Sequence, residues 1–74
     1  NMNNKEKILD IVKDKEWHCS ICDFGKLSSQ SAAIIRDLRK DGYEFESDPN
    51  NPNRFCQIKF CNKCDKNTIH RKLK

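Results

Sequence analysis

The sequence predicts a small α+β domain, two amphipathic helices followed by a β-hairpin, drawn together through paired cysteines. Three observations predict it. Apolar residues recur twice at helical spacing, as Ile8, Leu9, Ile11 and Val12 and again as Ile34, Ile35 and Leu38. Two segments, 43–46 and 54–60, alternate in polarity on either side of a stretch dense in turn formers. Two C-x2-C pairs, Cys19 with Cys22 in WHCSIC and Cys61 with Cys64 in FCNKC, are separated by 38 residues, positions 23–60.

The first helix is expected over residues 4–15. Asn3 through Glu6 has the form of a capping box, in which an Asn side chain and a Glu three residues later satisfy each other's backbone amides. Trp17-His18-Cys19 suits a very short strand. Ser20 to Phe24 suits either a short helix or a tight knuckle, ended by Gly25. At Leu27-Ser28-Ser29-Gln30 a serine oxygen can accept from first-turn amides, which marks a helix start. The second helix is expected over 29–41, with Ser31 on the apolar side, Arg39 and Lys40 where cations offset the helix dipole, and Gly42 past the end.

Tyr43-Glu44-Phe45-Glu46 and Arg54 to Phe60 then read as the two strands of a hairpin over 43–60. Ser47 to Asn53 forms its long tip. In the second strand Cys56, Ile58 and Phe60 share one face. Residues 61–74 are left as a second knuckle and a basic tail.

Seventy-four residues make a single domain, 1–74, that buries only about 60–65% of its unfolded surface. Hydrophobic and charged residues each make up 35%, so the core needs disulfides, a metal or a partner to support it. No apolar run reaches membrane-spanning length and no signal-peptide pattern is present, so the expected setting is a reducing cytoplasm without membrane association. There, paired cysteines serve more often as metal ligands than as disulfides, and the odd count of five would leave one thiol over.

Two such knuckles can turn four thiolates toward one point, which satisfies tetrahedral Zn²⁺ in a closed structural site. The expected ligands are Cys19, Cys22, Cys61 and Cys64. A second, local set is Cys56, Cys61, Cys64 and His70, although Cys56 also suits a buried small hydrophobe and His70 a solvated or phosphate-facing residue. His18 belongs to a variant set, but a strand neighbour of Cys19 points away from it. Disulfides and inert thiols are the competing readings. Thioredoxin-type redox chemistry needs a larger fold, and nucleophilic catalysis needs a pocket, so no catalytic site and no small-molecule substrate are expected.

Charge is unevenly spread. The chain carries +4, but residues 54–74 hold seven Lys/Arg against one acid, +6, and residues 1–53 hold eight against ten, −2. A basic third suits nucleic acid, or merely solubilises. Four thiolates and Zn²⁺ together add −2, so the loaded domain carries about +2.

Helix, short strand, knuckle or short helix, helix, then hairpin is the order of a winged helix-turn-helix, whose second long helix enters the DNA major groove and whose hairpin is the wing. The stretch SSQSAAIIRDLRKDGYEFE resembles the winged-helix domains common in bacteria and phages. The residues that carry the resemblance are Ile35, Leu38, Arg39, Lys40, Gly42, Tyr43 and Phe45, with KILDIVKDKEW similar to that group's first helix. It covers roughly residues 5–47. The tail FCNKCDKNTIHRKL resembles a zinc knuckle of the kind attached, with such readers, to restriction endonucleases. No acidic pair with a Glu-x-Lys motif and no His-Asn-His site is visible, so any nuclease chemistry would belong to further domains of a larger parent protein.

On this reading the expected function is double-stranded DNA binding. On the recognition helix Ser28 and Ser29 would hold a phosphate, Gln30 an adenine edge, Ala33 a thymine methyl and Arg36 a guanine, with Lys40 on the same face. Asn51, Asn53 and Arg54 at the wing tip and Arg71 and Lys72 in the tail would add backbone contacts. The alternatives are a protein–protein interaction module and an RNA-binding zinc module.

Overall fold

A computed structural model describes residues 1–74. The element order is α1 (Asn4–Val12), β1 (His18–Cys19), a 3-10 helix (Gly25–Gln30), α2 (Ser31–Lys40), β2 (Gln57–Cys61) and β3 (Lys66–Arg71). The α+β class is as expected: two helices and a three-stranded antiparallel sheet in the order β1-β3-β2.

The expected capping box opens α1. Asn3 Oδ1 accepts from the Glu6 amide at 2.8 Å and Glu6 Oε1 accepts from the Asn3 amide at 3.2 Å. The helix stops three residues earlier than its periodicity implies. Asp14 Oδ1 accepts from the Glu16 amide at 2.9 Å and Lys15 adopts φ 62, a left-handed conformation that no helix continues.

The second helix begins later than expected. Ser28, Ser29 and Gln30 lie in the 3-10 helix, and the Ser31 hydroxyl donates to the Ser28 carbonyl at 2.7 Å at the junction. No serine side chain caps α2. Its other end is as predicted. Gly42 at φ 103 lets the Gly42 amide reach the Arg39 carbonyl at 3.0 Å and the Tyr43 amide reach Leu38 at 3.1 Å, a Schellman stop.

The hairpin is the main correction. Segment 43–46 does not pair with 54–60. Strand β2 pairs with β3 from Gln57↔His70 to Cys61↔Lys66, so the hairpin spans 57–71 and its tight turn is the second cysteine knuckle itself. The expected basic tail is therefore mostly strand. Segment 44–46 runs instead beside 72–74: the Glu46 amide donates to Lys72 at 2.8 Å, the Lys74 amide to Glu44 at 2.9 Å, and Phe45 bridges Leu73. The expected hairpin tip is a separate loop, closed between Asp48 and Arg54 by Asx turns at Asp48 and Asn51.

The core consists of Ile8 and Val12 from α1, Phe24 from the first knuckle, Ile34, Ile35 and Leu38 from α2, and the bridged pair Phe45 and Leu73. Cys56 is buried as a small hydrophobe, but Ile58 and Phe60, expected beside it, are 52% and 58% exposed. Cys56 precedes β2, and within the strand it is Gln57, Lys59 and Cys61 that point inward.

Candidate metal centre

The sheet brings the two cysteine pairs together. Cys19 ends β1, and β1 lies against β3, with Cys19 opposite His70. Cys61 ends β2 on the far side of β3, and the chain turns back at once through Cys64. The knuckles are built alike. The Asp23 amide donates to the Cys19 carbonyl at 3.0 Å, and the Asp65 amide donates to the Cys61 carbonyl at 2.8 Å. Each turn then closes on a left-handed residue, Gly25 at φ 54 in the first and Asp65 at φ 56 in the second.

The sulfurs of Cys19, Cys22, Cys61 and Cys64 all lie within 4.8 Å of one another. Cys22 is 3.2 Å from Cys61 and 3.5 Å from Cys64, and Cys19 is 3.9 Å from Cys64. A tetrahedral site with metal–sulfur bonds of about 2.3 Å has edges of about 3.8 Å, so the four thiols fit such an ion. All five cysteines are free, and the Cys22 and Cys61 sulfurs stand 3.2 Å apart where bonded sulfurs would stand about 2.0 Å apart. Cys56 and His70 stand outside the cluster, so the local ligand set is not the one assembled.

The electrostatics follow the same two-fold pattern. Burial pushes Cys19 up, but the Thr68 hydroxyl at 3.1 Å and the Cys22 and Ile21 amides outweigh it and bring its pKa down to about 6. Cys61 is drawn down by the Cys64 amide first, then by the Cys22 thiol. The second cysteine of each knuckle goes the other way. Cys22 is raised by hydrogen bonding to Cys61 and Cys19. At Cys64 the hydrogen bond from Cys22 pulls down, and burial with Cys61 and Cys19 outweighs it and raises the thiol. Four thiolates this close repel one another, and a divalent cation at their centre would allow all four to ionise.

Surrounding groups that the cysteine pattern did not signal hold this cluster in place. Thr68 connects Cys19 to His70, whose Nδ1 donates to the Thr68 carbonyl at 3.0 Å. His18 clamps the first knuckle to the end of α1: Nδ1 faces Asp23 at 2.8 Å and Nε2 faces Asp14 at 2.7 Å. Burial lowers the His18 pKa, but the two carboxylates outweigh that and raise it, favouring the cation that donates from both nitrogens. Lys59 lies over the Trp17 ring, 4.5 Å from its centroid. Alternation of buried Thr68 and His70 within KNTIHR was the available sequence signal for β3.

Of the expected DNA contacts, Ala33, Arg36 and Lys40 stand exposed on α2. Gln30 accepts from the Asn4 side chain at 3.2 Å. Asn51, Asn53 and Arg54 are exposed on the 48–54 loop. Arg71 is not a free tail residue: it is buried in β3, and its Nη1 donates to the Phe55 carbonyl at 2.8 Å. Lys72 is half-buried, near Trp17. No helix is long and apolar enough to cross a membrane. Comparison with protein-family models, curated proteins and solved structures returns no match.

Proposed function

We propose that this chain is a zinc-stabilised winged-helix module that binds double-stranded DNA through α2. The observation that carries the reading is α2 itself. Its inner stripe of Ile34, Ile35 and Leu38 is used in the core, and its outer side presents Ala33, Arg36, Arg39 and Lys40, with Asp37 the one acid among them. Ala, Arg and Lys can meet base edges and phosphates in a major groove. The element order supports a winged helix in which the 3-10 helix takes the place of the middle helix and the β2–β3 hairpin takes that of the wing. Zinc is favoured among metals because four thiolates in a tetrahedron suit it. With no reaction chemistry of its own, such a reader would serve a protein whose other domains act on the DNA, a restriction endonuclease among them.

Fluorescence anisotropy with labelled duplexes at low and physiological salt tests this. Binding that weakens steeply with salt, and weakens further in Lys40→Ala and Gln30→Ala, is expected. Absence of binding at low salt would rule it out. A protein-interaction role is favoured by one observation, the exposed Ile58 and Phe60 side by side on β2. Replacing both with Ser leaves DNA affinity intact on the first reading and abolishes partner capture on the second. Competition by single-stranded RNA separates an RNA reader from both.

A further inference from the structure

A cleft of about 320 Å³ lies between α2 and the sheet, and Cys56 lines it but none of the four clustered cysteines does. Four arginines line it: Arg36 and Arg39 from α2, Arg54 from the loop and Arg71 from β3. None of the lining residues is acidic. Arg71 is only 8% exposed, its Nε is buried without a partner, and no carboxylate forms an ion pair with it. A buried guanidinium in that position is costly unless something supplies the missing charge. Burial depresses its pKa, the Cys56 sulfur works against that, and the nearby Arg54 adds to the depression.

The other three guanidiniums keep most of their donors free. Arg39 has its guanidinium carbon over Phe55, 3.3 Å from the ring centroid, and its N–H groups make no hydrogen bond or ion pair within the chain. Arg54 uses only Nε, which donates to the Cys56 sulfur at 3.2 Å. Arg36 has no partner within the chain. Converging forks with unused donors match the oxygens of a tetrahedral oxyanion.

We propose that this cleft is a phosphate-binding site, with Arg71 at its base and Arg36, Arg39 and Arg54 around it, holding one phosphate group. The site does not depend on α2 reading base edges. A phosphate of a nucleic-acid backbone and a free phosphate present the same oxygens, and the cleft accepts either chemistry.

Titration of the ¹⁵N-labelled protein with inorganic phosphate, followed by NMR, tests the site. Saturable shifts of the Arg71 Nε–H and of Phe55 are expected. The exposed variants Arg36→Gln and Arg54→Gln should each weaken binding about tenfold, the scale of one charge-assisted hydrogen bond. Lys40→Gln, outside the cleft, should leave it unchanged. Arg71→Lys keeps the charge but loses the fork, and should also weaken binding about tenfold while circular dichroism confirms the fold. A short duplex that displaces inorganic phosphate, and binds more weakly to Arg54→Gln, identifies the backbone as the source. A duplex that leaves bound phosphate in place identifies a free phosphate species. Non-saturable shifts, or equal weakening in Lys40→Gln and Arg54→Gln, overturn the proposal. A chain that fails to bind duplex yet binds phosphate refutes the DNA reading and leaves this one standing.

Discussion

The sulfurs of Cys22 and Cys61 lie 3.2 Å apart although 39 positions separate them in the chain. Cys22 belongs to the knuckle that leads into the 3-10 helix, and Cys61 to the tip of the hairpin. The cluster therefore ties the helical half of the molecule to the sheet, and Phe24 of the first knuckle carries the link into the apolar core.

Removal of bound metal should loosen both halves at once. A chelator is expected to lower the melting temperature by more than about 10 °C, since each kcal/mol shifts a domain of this size by about 4–8 °C and metal affinity is largely folding free energy. Cys22→Ser should reproduce the shift without chelator. A melt unchanged by chelator would sink the metal assignment.

Metal stoichiometry should distinguish the ligands from their neighbours. Atomic absorption is expected to find one metal per chain in Cys56→Ser and His70→Ala, and less than one in Cys61→Ser. Loss of metal from Cys56→Ser with retention in Cys19→Ser would favour the local ligand set instead.

The capping box makes a modest, separable contribution. Asn3→Ala removes the acceptor for the Glu6 amide and should cost about 1 kcal/mol, seen as a lower midpoint in urea with an unchanged slope. Metal content should not change. A midpoint identical to that of the native chain would show that the helix start contributes nothing.

Phe45 should be the costliest apolar position. It is 2% exposed and sits in the core beside its bridge partner Leu73. Phe45→Ala should cost about 3–5 kcal/mol, enough to unfold a domain with so small a core at ambient temperature. Leu73→Ala should fail in the same way. Near-native amide dispersion in either variant would contradict this packing.

Much of this was legible in the residues, and the reasons differ by element. Helix α1 announced itself through Asn3 and Glu6, whose reciprocal bonds are local and need no tertiary context. The end of α2 was legible at Gly42 for the same reason. The cysteine set was legible because C-x2-C is a local turn motif, and two copies leave few ways to arrange four sulfurs. The pairing of the strands was not legible. Alternation at 54–60 shows that a segment is extended, but says nothing about which other segment it lies beside. The turn formers at 47–53 suggested one answer, and the knuckle at 61–65, which turns the chain within five residues, provided another. The buried Arg71 was hidden by its company, since among Lys66, Lys72 and Lys74 it reads as one more solvated charge.

The bridge between Phe45 and Leu73 has a consequence for biosynthesis. Helix α1 leaves the ribosome before the rest of this domain, but its apolar face has no complete lid until Leu73 has been added, some sixty residues after Val12. At about 5–20 residues per second this interval lasts several seconds. During that time Ile8, Val12 and the first pair of thiols have no finished structure to enter. A nascent chain arrested before residue 73 should accordingly remain open to proteases even where zinc is plentiful, and should become resistant only when that last apolar side chain clears the exit tunnel.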